Sequence, residues 1–295
     1  MKETIVVILI GIRYEYGEGH LRGCHNDIKN IYDYLNNLYK HDDKYNLDFI
    51  ILADSKVSIC DNHPNIWPTK KNILENLQNT IGKYKKYFIH YSGHGSSIKD
   101  YSGDEPDYKD EVICPVDYSS QGIIKDDVLN SFFLNRLDND VFVRILMDCC
   151  RSGTIWDLKY KYSNNGYQEN SLSPKIRCNV LTLSGCKDTQ YSYDVFTDGE
   201  SQGAFTYCFL KSIKENQNLM DFLNNINKNL ILGGWEKQTS VLSSSFKVND
   251  KNIFFQWDNV NIESNDDTYP NIIENSITTS NDPDFFVLFS FCSVM

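Results

Sequence analysis

The sequence predicts an α/β fold with a mostly parallel central sheet covered by helices on both faces. Three observations carry this. Short apolar runs rich in Val and Ile alternate along the 295-residue chain with stretches of helical periodicity. The runs are apolar throughout, as strands buried on both faces must be. The chemically distinctive residues stand just past two of these runs, and open α/β sheets gather their ligands beyond the carboxyl ends of their strands.

The elements follow in order. Residues 5–12 read as the first strand, because the apolar run is too short for a membrane span and lacks a small-residue cleavage site. Over residues 27–38, Ile28, Ile31, Tyr32, Leu35 and Leu38 form one helical stripe. A second strand is expected at 47–52. Thr69 suits the N-cap of a helix carrying Ile73, Leu74, Leu77 and Ile81. Further strands are expected at 87–91, 141–147 and 180–183, and helices at 205–213 and 219–230. The polar stretch 159–174, centred on Asn164, Asn165 and Gly166, reads as an exposed loop. Residues 258–284 are rich in Asn, Asp, Ser and Thr and read as a loosely ordered tail. No internal repeat is visible.

A net charge of −11 and a pI near 5.0 disfavour a nucleic-acid binder and suit cationic partners, whether metal ions or basic peptides. The nine cysteines are odd in number and irregularly spaced, so they read as reduced thiols in a cytosol-like compartment. A cytoplasmic protein without a membrane partner is expected.

Two constellations carry chemistry. Tyr91-Ser92-Gly93-His94-Gly95 follows the third strand; an imidazole there can take a proton from a thiol, or be a turn histidine between glycines. Asp148-Cys149-Cys150-Arg151-Ser152-Gly153 follows the fourth. A cysteine on that abrupt turn can be a nucleophile if an imidazole stands near, while buried cysteines that merely fill a core are common. Adjacent cysteines lack metal-ligand spacing.

Together the two motifs resemble the metacaspases, within the caspase-like clan of cysteine peptidases, whose histidine lies in Y-S-G-H-G and whose nucleophile lies in D-C-C-H-S-G or D-S-C-H-S-G. Further stretches match in order: residues 183–190, similar to the family's S-G-C-K-D-x-Q; Gly203-Ala204-Phe205-Thr206; Cys114-Pro115-Val116-Asp117-Tyr118; and the first strand. The resemblance spans residues 3–257. It implies a caspase-like (caspase-hemoglobinase) fold, with a large-subunit-like region 1–158, a linker 159–177, a small-subunit-like region 178–257 and the tail 258–295. It maps the base to His94, the nucleophile to Cys150 rather than Cys149, and an oxyanion hole to the backbone N–H groups of Gly95 and Cys150. Arg151 departs from the family's usual histidine, which is not the base. The family works as a dyad, and no third catalytic residue is obvious.

The resemblance also implies cleavage after Arg or Lys, with Cys24, Asp27, Ser92 and Asp148 lining the pocket for the basic side chain. Carboxylates suit a guanidinium. Read without the family, Asp27 is a first-turn helix carboxylate and Asp148 a buried acid bonded to amides. Residues 100–127 hold nine carboxylates, by themselves a solvated acidic loop. The calcium-dependent members of the family bind Ca²⁺ through four aspartates, which map to Asp110, Asp126, Asp127 and Asp157. Hard cations take such oxygen ligands. Lys159, Lys161, Lys175 and Arg177 lie where a peptidase of basic specificity could cut itself. The short stretch past the nucleophile resembles type I members, though the first strand starts too early for their long prodomain; a monomer is expected. Two alternatives are a catalytically silent caspase-like interaction protein and a clan peptidase of different specificity. His90 reads as packed within a strand, and His20, His25, His41 and His63 show no ligand spacing.

Overall fold

The computed structural model describes residues 2–258 apart from 16, 18, 101–107, 164–165, 188–189, 191 and 250. The tail expected from residue 258 lies outside the described residues except for Asp258, as do Asp188 and Thr189 of the matched segment. The chain begins β1 (Glu3–Gly11), α1 (Cys24–Tyr39), β2 (Tyr45–Ala53), α2 (Lys70–Thr80) and β3 (Lys86–Ser92). Next come β4 (Gly95–Lys99), β5 (Lys109–Ile113), α3 (Tyr118–Gln121), β6 (Ile124–Lys125), α4 (Asp126–Phe132) and β7 (Phe142–Asp148). It continues through β8 (Tyr160–Ser163), β9 (Gly166–Glu169), β10 (Asn179–Ser184), β11 (Asp194–Thr197), β12 (Glu200–Gly203), α5 (Ala204–Ser212), α6 (Leu219–Leu232) and β13 (Val241–Ser244).

The central sheet runs β2-β1-β3-β7-β10-β13-β8-β9. Its first five strands are parallel and the last three are antiparallel. Side chains alternate across it. Ile5, Val7 and Leu9 of β1 pack with Ile28, Ile31 and Leu35 of α1 and with Phe205 and Phe209 of α5. Val6, Ile8 and Ile10 pack with Ile73 and Leu77 of α2 and Leu129 of α4. This two-sided burial explains why the strands read as unbroken apolar runs. Thr69 caps α2 as expected, its Oγ1 accepting the Asn72 amide at 3.2 Å.

The expected loop over 159–174 is corrected. Its first part forms the β8–β9 hairpin, and β8 joins the sheet through β13. Tyr160 and Tyr162 alternate into the core, while Ser163 and the whole of β9 face solvent. A strand near a sheet edge with one buried face keeps polar residues in alternation, which gives it the composition of a loop.

Past β13 the chain is pinned by a buried cation. Arg144 of β7 has no exposed surface. It donates to the carbonyls of Phe254 at 2.7 Å and Gln256 at 2.8 Å, and lies 5.3 Å from the Trp257 ring centroid. Burial pushes its pKa down to about 9.

Candidate active site

Strand register builds the site. Ser92 at the end of β3 pairs with Asp148 at the end of β7. His94 and Cys150 therefore each leave the sheet two residues beyond one pair of partners, and both line a single cleft.

The His94 ring is buried at 6% exposure, with Nε2 2.5 Å from the Gly19 carbonyl oxygen. A carbonyl only accepts, so Nε2 carries the proton and Nδ1 is the basic nitrogen. Burial lowers the imidazole pKa, partly opposed by that carbonyl. Tyr14 supports the loop. Its ring lies 4.6 Å from the His94 ring, and its hydroxyl accepts the His94 amide at 3.0 Å while donating to the Cys114 carbonyl at 2.6 Å.

The two adjacent cysteines differ. Cys149 is 1% exposed, does not line the cleft, and has its thiol pKa pushed well up by burial. Cys150 lines the cleft, and its Sγ accepts the Ser192 amide at 3.3 Å. Gly95 lies so close that a Cβ on it would overlap the Cys150 carbonyl oxygen, so the strand after His94 packs directly on the Cys149–Cys150 backbone. Arg151, in left-handed conformation at φ 53°, donates to Ser97 Oγ of β4 at 3.0 Å.

The four pocket residues named from sequence also meet in the cleft. Asp27 in the first turn of α1 accepts from Ser92 Oγ at 2.7 Å and from the Gly203 amide at 2.8 Å. Asp148 accepts from Ser192 Oγ at 2.5 Å, and from Thr206 through Oγ1 at 2.7 Å and the amide at 2.9 Å. Burial raises the pKa of both carboxyls, and repulsion from Asp148 adds to the rise at Asp27. Burial and then Asp27 likewise push the Cys24 thiol well up. His90 is packed as expected. Its Nε2 lies 3.2 Å from Thr206 Oγ1, and burial brings its pKa to about 3, so the ring is neutral.

The four aspartates read as calcium ligands come from three segments that meet beside the cleft. Asp110 on β5 and Asp126 at the start of α4 are buried, and Asp126 accepts the Glu111 amide at 2.7 Å and the Asp127 amide at 3.0 Å. Lys125 stands 3.1 Å from Asp110. The Asp157 loop is tied in by Thr154 Oγ1 to Glu111 at 2.6 Å and by Asn130 Nδ2 to the Trp156 carbonyl at 2.9 Å. Trp156 and Asp157 both have positive φ, 86° and 48°. Among the described residues, no three His, Cys, Asp or Glu side chains converge closely enough to hold a metal ion as they stand.

Sequence reasoning missed Gly19, Tyr14, Ser192 and Asp194, all of which border or support the cleft. A backbone carbonyl has no sequence signature. Ser192 and Asp194 do follow the matched segment 183–190, which pointed to the right neighbourhood.

Fold and cleft together are those of the caspase-like class. The crystal structure of protein GSU0716 from Geobacter sulfurreducens superposes with a TM-score of 0.55 at 20% identity, covering 83% of this chain and 95% of that one. The model of the metacaspase peptidase C14 domain matches residues 7–159. Metacaspase-1B of Aspergillus fumigatus is 32% identical over 84% of this chain and 71% of its own length. Metacaspase-1 of Saccharomyces cerevisiae is 30% identical over 84% of this chain and 68% of its own. The chain belongs to the metacaspase family of cysteine peptidases. Among the described residues, no helix is long and apolar enough to cross a membrane.

Proposed function

We propose that this protein is an endopeptidase that cleaves after Arg or Lys, with Cys150 as nucleophile and His94 as its base. The observation that carries the reading is the Ser92–Asp148 register, which sends both side chains into one cleft floored by two buried acids. His94 Nδ1 takes the thiol proton and the sulfur attacks the scissile carbonyl carbon. The amides of Gly95 and Cys150 stabilise the oxyanion, such donors being worth about 3 kcal/mol each. The amine leaves with the proton from His94, and water then hydrolyses the thioester. The reactive species is the reduced thiol, so the assays include a reductant.

The test uses fluorogenic peptides bearing Arg, Lys or Asp before the scissile bond, with Cys150→Ala as control. Turnover of the Arg and Lys peptides alone, lost in the variant, is expected. Turnover of Asp peptides would indicate another specificity, and no turnover of any would favour a silent interaction protein.

Calcium stimulation belongs to the same proposal. Asp110, Asp126, Asp127 and Asp157 offer only oxygen donors, three of them buried, and a hard cation would have to draw them together from three segments. Binding requires the Asp110 side chain to exchange Lys125 for the ion. Ca²⁺ would neutralise the cluster and order the loops beside the site. Expected are calcium binding by calorimetry and loss of stimulation with chelator or in Asp126→Ala; activity indifferent to both would remove the calcium role.

Self-processing is proposed at Lys175 and Arg177, which are exposed and outside any strand, rather than at Lys159 and Lys161. Lys161 lies within β8, and Lys159 pairs with Glu169 at 3.2 Å. Intact mass of wild type beside Cys150→Ala after calcium addition checks this; identical masses would count against it.

A further inference from the structure

We propose that Asp194 is a third acid of the cleft and makes the direct charged contact with the basic side chain of the substrate. This deepens the Arg/Lys reading and rests on it. The placement comes from the β11–β12 hairpin, in which Asp194 is the register partner of Gly203. Gly203 donates its amide to Asp27, so the residue facing it across the hairpin stands at the same pocket, and Asp194 lines the cleft with Asp27 and Asp148.

Oxygen accounting separates Asp194 from the other two. Both oxygens of Asp27 and both of Asp148 already accept protein hydrogen bonds. Asp194 Oδ2 accepts the Arg22 amide at 2.6 Å, but Oδ1, beside the Gly23 backbone, is buried without a hydrogen bond of normal geometry. A buried carboxylate oxygen lacking a donor is costly, and a cationic N–H removes that cost. The basic side chains of Arg22 and His20 attract it through space. No Lys or Arg is among the described residues lining the cleft.

Exposure points the same way. Asp27 and Asp148 are 1% and 5% exposed, whereas Asp194 is half-buried. Burial raises the pKa of all three carboxyls. An entering ammonium or guanidinium therefore meets the partly exposed Asp194 carboxylate before the two floor acids.

The test compares wild type with Asp194→Asn and Asp194→Glu on Arg and Lys peptides. Alkylation of reduced Cys150 by uncharged iodoacetamide serves as the measure of site integrity. Asp194→Asn is expected to lower kcat/KM for both peptides at least about tenfold, mostly through KM. Its alkylation rate should be unchanged, and Asp194→Glu should recover part of the loss. Unchanged cleavage, or cleavage and alkylation falling together in both variants, overturns the assignment. Should Asp194→Asn not fold, Asp194→Glu decides by the same two readouts, a loss in cleavage smaller than in alkylation counting against the proposal. Wild type that cleaves no basic peptide defeats the Arg/Lys reading itself; wild type that does, beside a fully active Asp194→Asn, defeats only the role of Asp194.

Discussion

The Asp148 carboxylate fills the space that a side chain on Gly203 would need. A Cβ there would overlap Asp148 Oδ2, and would come within 2.7 Å of Asp148 Cγ and 3.0 Å of Asp27 Oδ2. The missing side chain lets the hairpin close over both acids. Gly203→Ala is therefore expected to raise KM for basic peptides about tenfold or more while far-ultraviolet circular dichroism stays native. An unchanged KM would show that the pocket adapts without involving these acids.

The environment of His94 predicts a pH response. Its folded-state pKa lies below the ordinary 6.5, so the neutral, proton-accepting imidazole persists below that pH and is lost only as pH falls through the lowered value. NMR titration of the six histidines, with His94 assigned through His94→Gln, should find its midpoint below 6.5. A midpoint above it would contradict the buried, carbonyl-bound ring.

Asp27 sets function against stability. Its folded pKa is raised, so the ionised form opposes folding above that pKa, and the penalty vanishes as pH falls below the unfolded value near 3.8. Asp27→Asn removes the charge and keeps the shape. Cleavage after Arg or Lys should fall on the order of 100-fold, with no loss of Tm at pH 7. A large drop in Tm with activity retained would reverse both halves of the prediction.

Arg144 is a structural cation. Arg144→Ala strips donors from the Phe254 and Gln256 carbonyls and removes the partner of the Trp257 ring. A loss of about 3 kcal/mol in urea unfolding is expected. A loss under about 1 kcal/mol would mean that water replaces those contacts readily.

The parallel strands, Thr69 as a cap, and the motifs around His94 and Cys150 were legible because each rests on local chemistry. Double-sided burial demands continuous apolar residues, a cap needs a side-chain oxygen, and a tight strand-end turn favours small residues. The β8–β9 hairpin and the small β4–β5–β6 sheet were not read, since they are short and polar. Asn164-Asn165-Gly166 between Tyr162 and Tyr167 was nonetheless a hairpin signal in plain view.

The amino-acid sequence by itself determined the α/β alternation, the family, and the residue types available for catalysis and for a basic side chain. Only the tertiary structure decided that Gly19 offers its carbonyl to His94, that Cys150 rather than Cys149 faces the cleft, and that Asp194 opposes Gly203 beside two buried acids. Each of these is a contact between segments distant in the chain or a choice of face. Register and packing set such relations, and no local pattern of residues encodes them.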